Sequence, residues 1–190
     1  MDYKSILLHF YPTDTPLRRL LVVHSDCVRR KALAILENAP SDIRKMVDTE
    51  VVESGAMLHD IGICRCSAPD ILCEGTEPYI AHGVIGARML RELSGVGDME
   101  PFARICERHT GSGLTAAEIV EQGLPIAPVK DYLPETLEEK LICLADKFYS
   151  KSGNPEAEKP LEKVRSSMAR FGEATLLRFD QMCSLFNLHP

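Results

Sequence analysis

The sequence predicts an all-α protein. Three observations carry this. Apolar residues recur at helical spacing in successive segments. Two Thr-x-x-Glu capping boxes, Thr115 with Glu118 and Thr136 with Glu139, mark helix starts. No stretch shows the alternation of a half-buried strand.

Taken in order, residues 1–15 are punctuated by Pro12 and receive no assignment. Thr15-Pro16 reads as an N-cap followed by proline at the first helical position. It opens a helix over 17–36 with Leu17, Leu20, Leu21, Val28, Ala32 and Ile35 inwards and His24 in its middle. Ser41 or Asp42 caps a second helix that runs through Ile43, Met46, Val47 and Val51 to His59-Asp60 and stops near Gly62. Residues 62–78 contain Gly62, Pro69, Gly75 and Pro78 and read as a loop with room for one helical turn, a lid or substrate wall. A third helix starts near Tyr79–His82 and ends about Leu93, and a fourth runs from Pro101 to His109. The capping boxes open a short helix to about Gln122 and a longer one over 137–150. Two amphipathic segments, about 160–170 and 173–187, follow a polar break at Ser152–Pro155.

Composition narrows the function. The chain has 190 residues, 45% of them apolar and 26% charged, as in an ordinary globular protein. No apolar run approaches the ~20 residues of a membrane span. Met1-Asp2-Tyr3-Lys4 does not open a signal peptide, so a cytoplasmic location is expected. A net charge of −6 argues against binding long nucleic acid but not against a small phosphorylated substrate held by metals. Seven cysteines are expected to be reduced and mostly buried. Cys64, Cys66 and Cys73 do not have the spacing of a zinc site.

The chemistry centres on Leu58-His59-Asp60-Ile61-Gly62. Adjacent helical residues sit about 100° apart, so one ion can take both His59 and Asp60 only if other ligands close around it. His24, His82, His109 and Asp146 are the candidates, each from a different predicted helix. Bundles build metal sites from side chains on facing helices. Imidazole with carboxylate suits iron, manganese, zinc or cobalt. Each residue alone has an ordinary reading: a packed His24, a capping His82, a His109 favoured by a helix C-terminus, an exposed Asp146. The ordered set is what points to a metal.

That order, His…His-Asp…His…His…Asp with a Leu-His-Asp-Ile-Gly core, resembles the HD superfamily of metal-dependent phosphohydrolases, and within it the HDIG type, over residues 17–150. Glu107–Gly113 and Pro134–Lys140 resemble segments of a small HDIG subfamily. The resemblance implies an HD-like bundle of about six to eight helices with a metal site at its centre. Residues 1–190 form one domain in this reading, its core at 17–150. Residues 151–190 are a helical extension that closes the bundle or forms a homodimer face. The resemblance also implies two divalent ions per chain, iron or manganese favoured, with zinc, cobalt or nickel as alternatives. His24, His59, Asp60 and Asp146 would hold the first ion. Asp60 would bridge to the second, completed by His82 and His109. His59 and Asp60 would be the catalytic pair. Ile63 stands where the branch that cuts cyclic dinucleotides has lysine, and the Gly-Tyr-Pro signature of that branch is absent.

The expected reaction is hydrolysis of a phosphate ester or anhydride of a small molecule, a nucleotide first, by attack of a metal-bound hydroxide. Diadenosine tetraphosphate hydrolases are the nearest analogue, nucleoside monophosphate phosphatases the next. Arg108, Lys147 and Arg65 are candidate phosphate grips. Two alternatives stand beside this: a di-iron oxygenase acting on a small organic or phosphonate substrate, and a non-catalytic nucleotide-binding module.

Overall fold

A computed structural model describes residues 2–189. It is an all-α protein with ten α-helices among these residues. That exceeds the expected six to eight because the unassigned N-terminal segment is helical and the helix expected from 41 to 60 is two.

The chain opens on α1 (Tyr3–Phe10), capped by the Asp2 carboxylate, which accepts from the Lys4 and Ser5 amides. The sequence reading leaves this segment unassigned. Its apolar face is only Ile6 and Leu7, too short to show a period. α2 (Pro16–Asn38) begins as predicted, with the Thr15 hydroxyl accepting from the Arg18 amide. The single helix expected from 41 to 60 is two, α3 (Ser41–Met46) and α4 (Thr49–Leu58). Val47 leaves the helix, and Asp48 caps the new one by accepting from the Glu50 and Val51 amides.

The segment read as a loop is ordered. A 3-10 turn (Ile61–Arg65) leads into β1 (Cys66–Ala68), β2 (Cys73–Glu74) and β3 (Glu77–Pro78). β1 lies in the middle, antiparallel to β2 with Ala68 opposite Cys73, and parallel to β3 with Cys66 opposite Glu77. Strands of two or three residues carry no readable alternation, which is why the sequence shows no strand there. All seven cysteines are free, and Cys66 and Cys73 are buried in this small sheet.

α5 (His82–Arg91) follows a 3-10 turn, and α6 (Glu100–Arg108) packs against it. α7 (Ala116–Glu121) and α8 (Leu137–Asp146) both start on the predicted capping boxes. α8 ends four residues short of the expected 150, at Asp146. α9 (Leu161–Ala169) and α10 (Glu173–Leu185) complete the chain.

Two apolar groups form the core. One joins Val28, Ala32 and Ile35 of α2 to Leu141, Ile142 and Leu144 of α8, with Val164, Phe179 and Met182 from the last two helices. The other joins Leu21 of α2 and Leu58 of α4 to Ile61, Ile63, Leu90 and Phe102. His24 lies on α2 between Leu21 of one group and Val28 of the other, so the polar centre falls where the two meet.

Two glycines bring the site helices together. A Cβ on Gly62 would lie 2.2 Å from the His82 carbonyl oxygen and 2.5 Å from the Gly86 nitrogen. A Cβ on Gly83 would lie 2.4 Å from the Cys106 carbonyl oxygen. Only hydrogen at these positions lets the turn after Asp60 touch α5, and α5 touch α6.

Candidate metal centre

His24 is held in the middle of α2, His59 just after α4, His82 at the start of α5, His109 just after α6, and Asp146 at the end of α8. Asp60 follows His59 as the chain turns into the 3-10 segment. The Tyr11 hydroxyl pins that turn: it donates to the Ile61 carbonyl at 2.8 Å and accepts from the Cys64 amide at 3.1 Å.

The six side chains converge as two groups that share Asp60. In the first, Asp60 Oδ2 lies 3.3 Å from His24 Nε2 and 3.0 Å from His59 Nε2. Asp146 Oδ1 lies 3.0 Å and 3.5 Å from the same two nitrogens. In the second, Asp60 Oδ1 lies 3.2 Å from His82 Nε2 and 3.4 Å from His109 Nε2, and the two nitrogens are 3.0 Å apart. One carboxylate thus turns a different oxygen to each group.

Three of the histidines are set up as lone-pair donors. Nδ1 of His59, His82 and His109 each lies 2.7 Å from a carbonyl three residues earlier, that of Ala56, Tyr79 and Cys106 respectively. A carbonyl only accepts, so Nδ1 holds the proton and Nε2 faces the centre. In the second group, two such nitrogens and a carboxylate oxygen then meet with no donor among them. Lone pairs this close repel unless a cation sits between them. The spacing also fits, since two bonds of about 2.1 Å at roughly right angles span about 3.0 Å. His59 Nε2 and both Asp60 oxygens are buried without a well-directed hydrogen bond. They aim at shared points rather than at each other. The donor set therefore fits divalent metal binding.

The electrostatics agree. Burial would raise Asp60, but His59 and Lys151 hold it well below the usual carboxylate range. Asp146 is lowered likewise, against its burial, by Lys147 and His24. Burial pushes His109 down to about 4, so it is neutral wherever the protein is near pH 7. For His59, burial opposes protonation, but the Asp60 and Asp146 carboxylates win and raise it to about 9.

His59 is therefore protonated at pH 7 until a metal takes its lone pair. Metal uptake at pH 7 is expected to release about one proton per chain, and affinity to fall roughly tenfold per unit as pH drops below 9. Calorimetry of metal uptake in two buffers of different ionisation enthalpy measures this. Identical heats in both buffers would show that no proton leaves.

The predicted phosphate grips lie in different places. Lys147 Nζ is 2.7 Å from Asp146 Oδ2 and donates to the His109 carbonyl at 2.9 Å, which turns Asp146 Oδ1 inwards. Arg108 is held by Glu135 at 2.8 Å and by the Leu133 carbonyl at 2.6 Å. Arg65 is exposed at the end of the 3-10 turn. Sequence reasoning missed Lys151, whose Nζ lies 2.6 Å from Asp60 Oδ2. Its setting, Ser150-Lys151-Ser152-Gly153, reads as a polar break. The available signal was its position five residues after Asp146.

The HD domain family matches residues 23–150. The chain belongs to that family. An uncharacterized protein of Methanocaldococcus jannaschii is 40% identical to this HD domain protein over 124 residues, which cover 65% of this chain and 63% of the relative. The tRNA (cytidine(56)-2'-O)-methyltransferases of Picrophilus torridus and Thermoplasma volcanium are 36% and 33% identical over 131 and 130 residues. Those stretches cover 69% and 68% of this chain but 32% of each methyltransferase. The chain thus spans less than two thirds of the length of each of these relatives. No solved structure matches. No helix among the described residues is long and apolar enough to cross a membrane.

Proposed function

We propose that this HD domain protein is a metal-dependent phosphohydrolase that uses two divalent ions to cleave a phosphate ester or anhydride of a small molecule, a nucleotide first among them. The observation that carries this is Asp60, with Oδ2 turned to His24 and His59 and Oδ1 to His82 and His109. A shared carboxylate is how one side chain sets two ions side by side. When bound, such a pair lowers the pKa of a coordinated water and neutralises charge developing on phosphate oxygens.

The protein's own residues do the positioning. Carbonyls of Ala56, Tyr79 and Cys106 fix the tautomer of three histidines. Lys147 orients Asp146. Burial of His59 and Asp60, both 0% exposed, excludes bulk water and strengthens every charge interaction at the centre. Iron or manganese is the favoured pair, with zinc, cobalt or nickel as alternatives.

A phosphate-release screen tests this. Protein loaded with manganese or iron is offered nucleoside monophosphates, diphosphates, triphosphates, dinucleoside polyphosphates and, because two relatives are tRNA methyltransferases, a tRNA. Release from a small phosphorylated compound is expected, and none from the tRNA. Oxygen uptake without phosphate release would favour the di-iron oxygenase instead.

A further inference from the structure

The mouth of this centre is basic although the chain as a whole carries −6. A cavity of about 310 Å³ opens onto His24 and Asp146 and is lined by Tyr79, Lys147, Lys151 and Lys159. Its three lysines are not equivalent. Lys159 donates to the Lys147 and Tyr149 carbonyls, at 3.3 and 2.7 Å, and so holds the turn after α8. Lys147 is tied to Asp146 and to the His109 carbonyl. Lys151 meets side chains instead, Asp60 at 2.6 Å and Tyr79. It sits on the irregular segment after α8, at the end of a flexible four-carbon stem.

The charge count gives Lys151 a task. Asp60 and Asp146 bring two negative charges, and Lys147 and Lys151 bring two positive ones. Once a metal has displaced the His59 proton, the protein's own charges in the buried cluster balance. Two divalent ions would add four positive charges, and uncompensated buried charge is costly. The loaded site therefore calls for an anion of high charge density. Once Asp60 is shared with the ions, the Lys151 ammonium needs another acceptor within its reach.

We propose that Lys151 is the residue that grips the substrate's phosphate, passing from Asp60 Oδ2 to a phosphate oxygen in this cavity. We further infer from its size that the cavity takes a compact phosphomonoester dianion rather than a dinucleoside polyphosphate. At about 310 Å³ it lies at the small end of ligand pockets, which span about 300–1,000 Å³. The inference rests on the phosphohydrolase reading and supplies its substrate class.

The test compares wild type, Lys151→Met and Lys151→Arg, each loaded with manganese, with inorganic phosphate as the probe. Metal per chain is counted, phosphate binding is measured by calorimetry, and turnover of AMP and of diadenosine tetraphosphate is followed. Lys151→Met is expected to keep the wild-type metal content and to bind phosphate about 10- to 100-fold more weakly, the loss of one charge-assisted hydrogen bond. Lys151→Arg is expected to recover most of that affinity, and AMP to be turned over faster than the dinucleotide. Unchanged phosphate binding in Lys151→Met would overturn the proposal. So would parallel loss of metal and phosphate, because Lys151 would then only hold Asp60. A faster dinucleotide would overturn the assignment of substrate size. Wild-type protein that hydrolyses no phosphorylated compound would count against the phosphohydrolase reading itself, and phosphate binding is read separately from it.

Discussion

Asp60→Ala is expected to abolish metal binding in both halves of the centre at once. The reason is geometric: its two oxygens face different groups, at 3.0–3.3 Å on one side and 3.2–3.4 Å on the other. Phosphate release should fall by more than about 10³-fold, beyond the 10- to 100-fold typical of residues that only orient a ligand. His82→Ala should differ in kind, because the His24, His59, Asp60 and Asp146 group stays whole. It is expected to keep about one ion per chain. Asp60→Ala also leaves the Lys151 ammonium buried without its partner, which costs about 3–5 kcal/mol. Asp60→Asn keeps the shape and removes the charge, so it separates loss of metal from loss of fold. Elemental analysis with circular dichroism on the three variants gives the result. Wild-type metal content in Asp60→Asn would show that the carboxylate charge is not needed.

Gly62→Ala should be among the most damaging changes outside the metal-ligand candidates. The added methyl would meet the His82 carbonyl oxygen at 2.2 Å and the Gly86 nitrogen at 2.5 Å, both backbone atoms that cannot swing away. α5 must shift as a whole and carry His82 with it. The expected cost is about 3–5 kcal/mol, which for a chain of this size lowers the melting temperature by roughly 10 °C or more. The second ion should be lost before the first. Gly55→Ala is the control. Its methyl would meet Ile105 Cδ1 at 2.5 Å, the free end of a flexible side chain, and the damage should be smaller. Equal stability of the two variants in urea would show that the contact between the 3-10 turn and α5 does not hold the site.

Much of this was legible in the sequence, for reasons that can be named. His24, His109 and Asp146 sit on or at the ends of helices whose starts are signalled locally. Thr15-Pro16 announces α2, and the Thr136 box announces α8. The residues on one helical face therefore followed from counting. The break at Asp48 carried a local signal too, since Asp-Thr-Glu is a good cap sequence. The continuous apolar period from Ile43 to Val51 hid it. Other features depend on contacts between distant segments. Arg108 reads as a phosphate grip until Glu135 and Leu133, more than twenty residues on, are seen to hold it. Lys151 reads as part of a solvated break until the turn after α8 brings it back onto Asp60. Gly62 reads as a helix stop, while its larger role, the approach to His82 and Gly86, involves residues twenty and more positions away.

Asp60 is expected to join two metal sites. Elemental analysis of wild-type protein purified without added metal and without oxygen, beside His82→Ala handled identically, tests it most directly. About two ions per chain in the wild type and about one in the variant is the predicted result. One ion per chain in both would contradict it, because His82 and His109 would then face Asp60 without holding a metal.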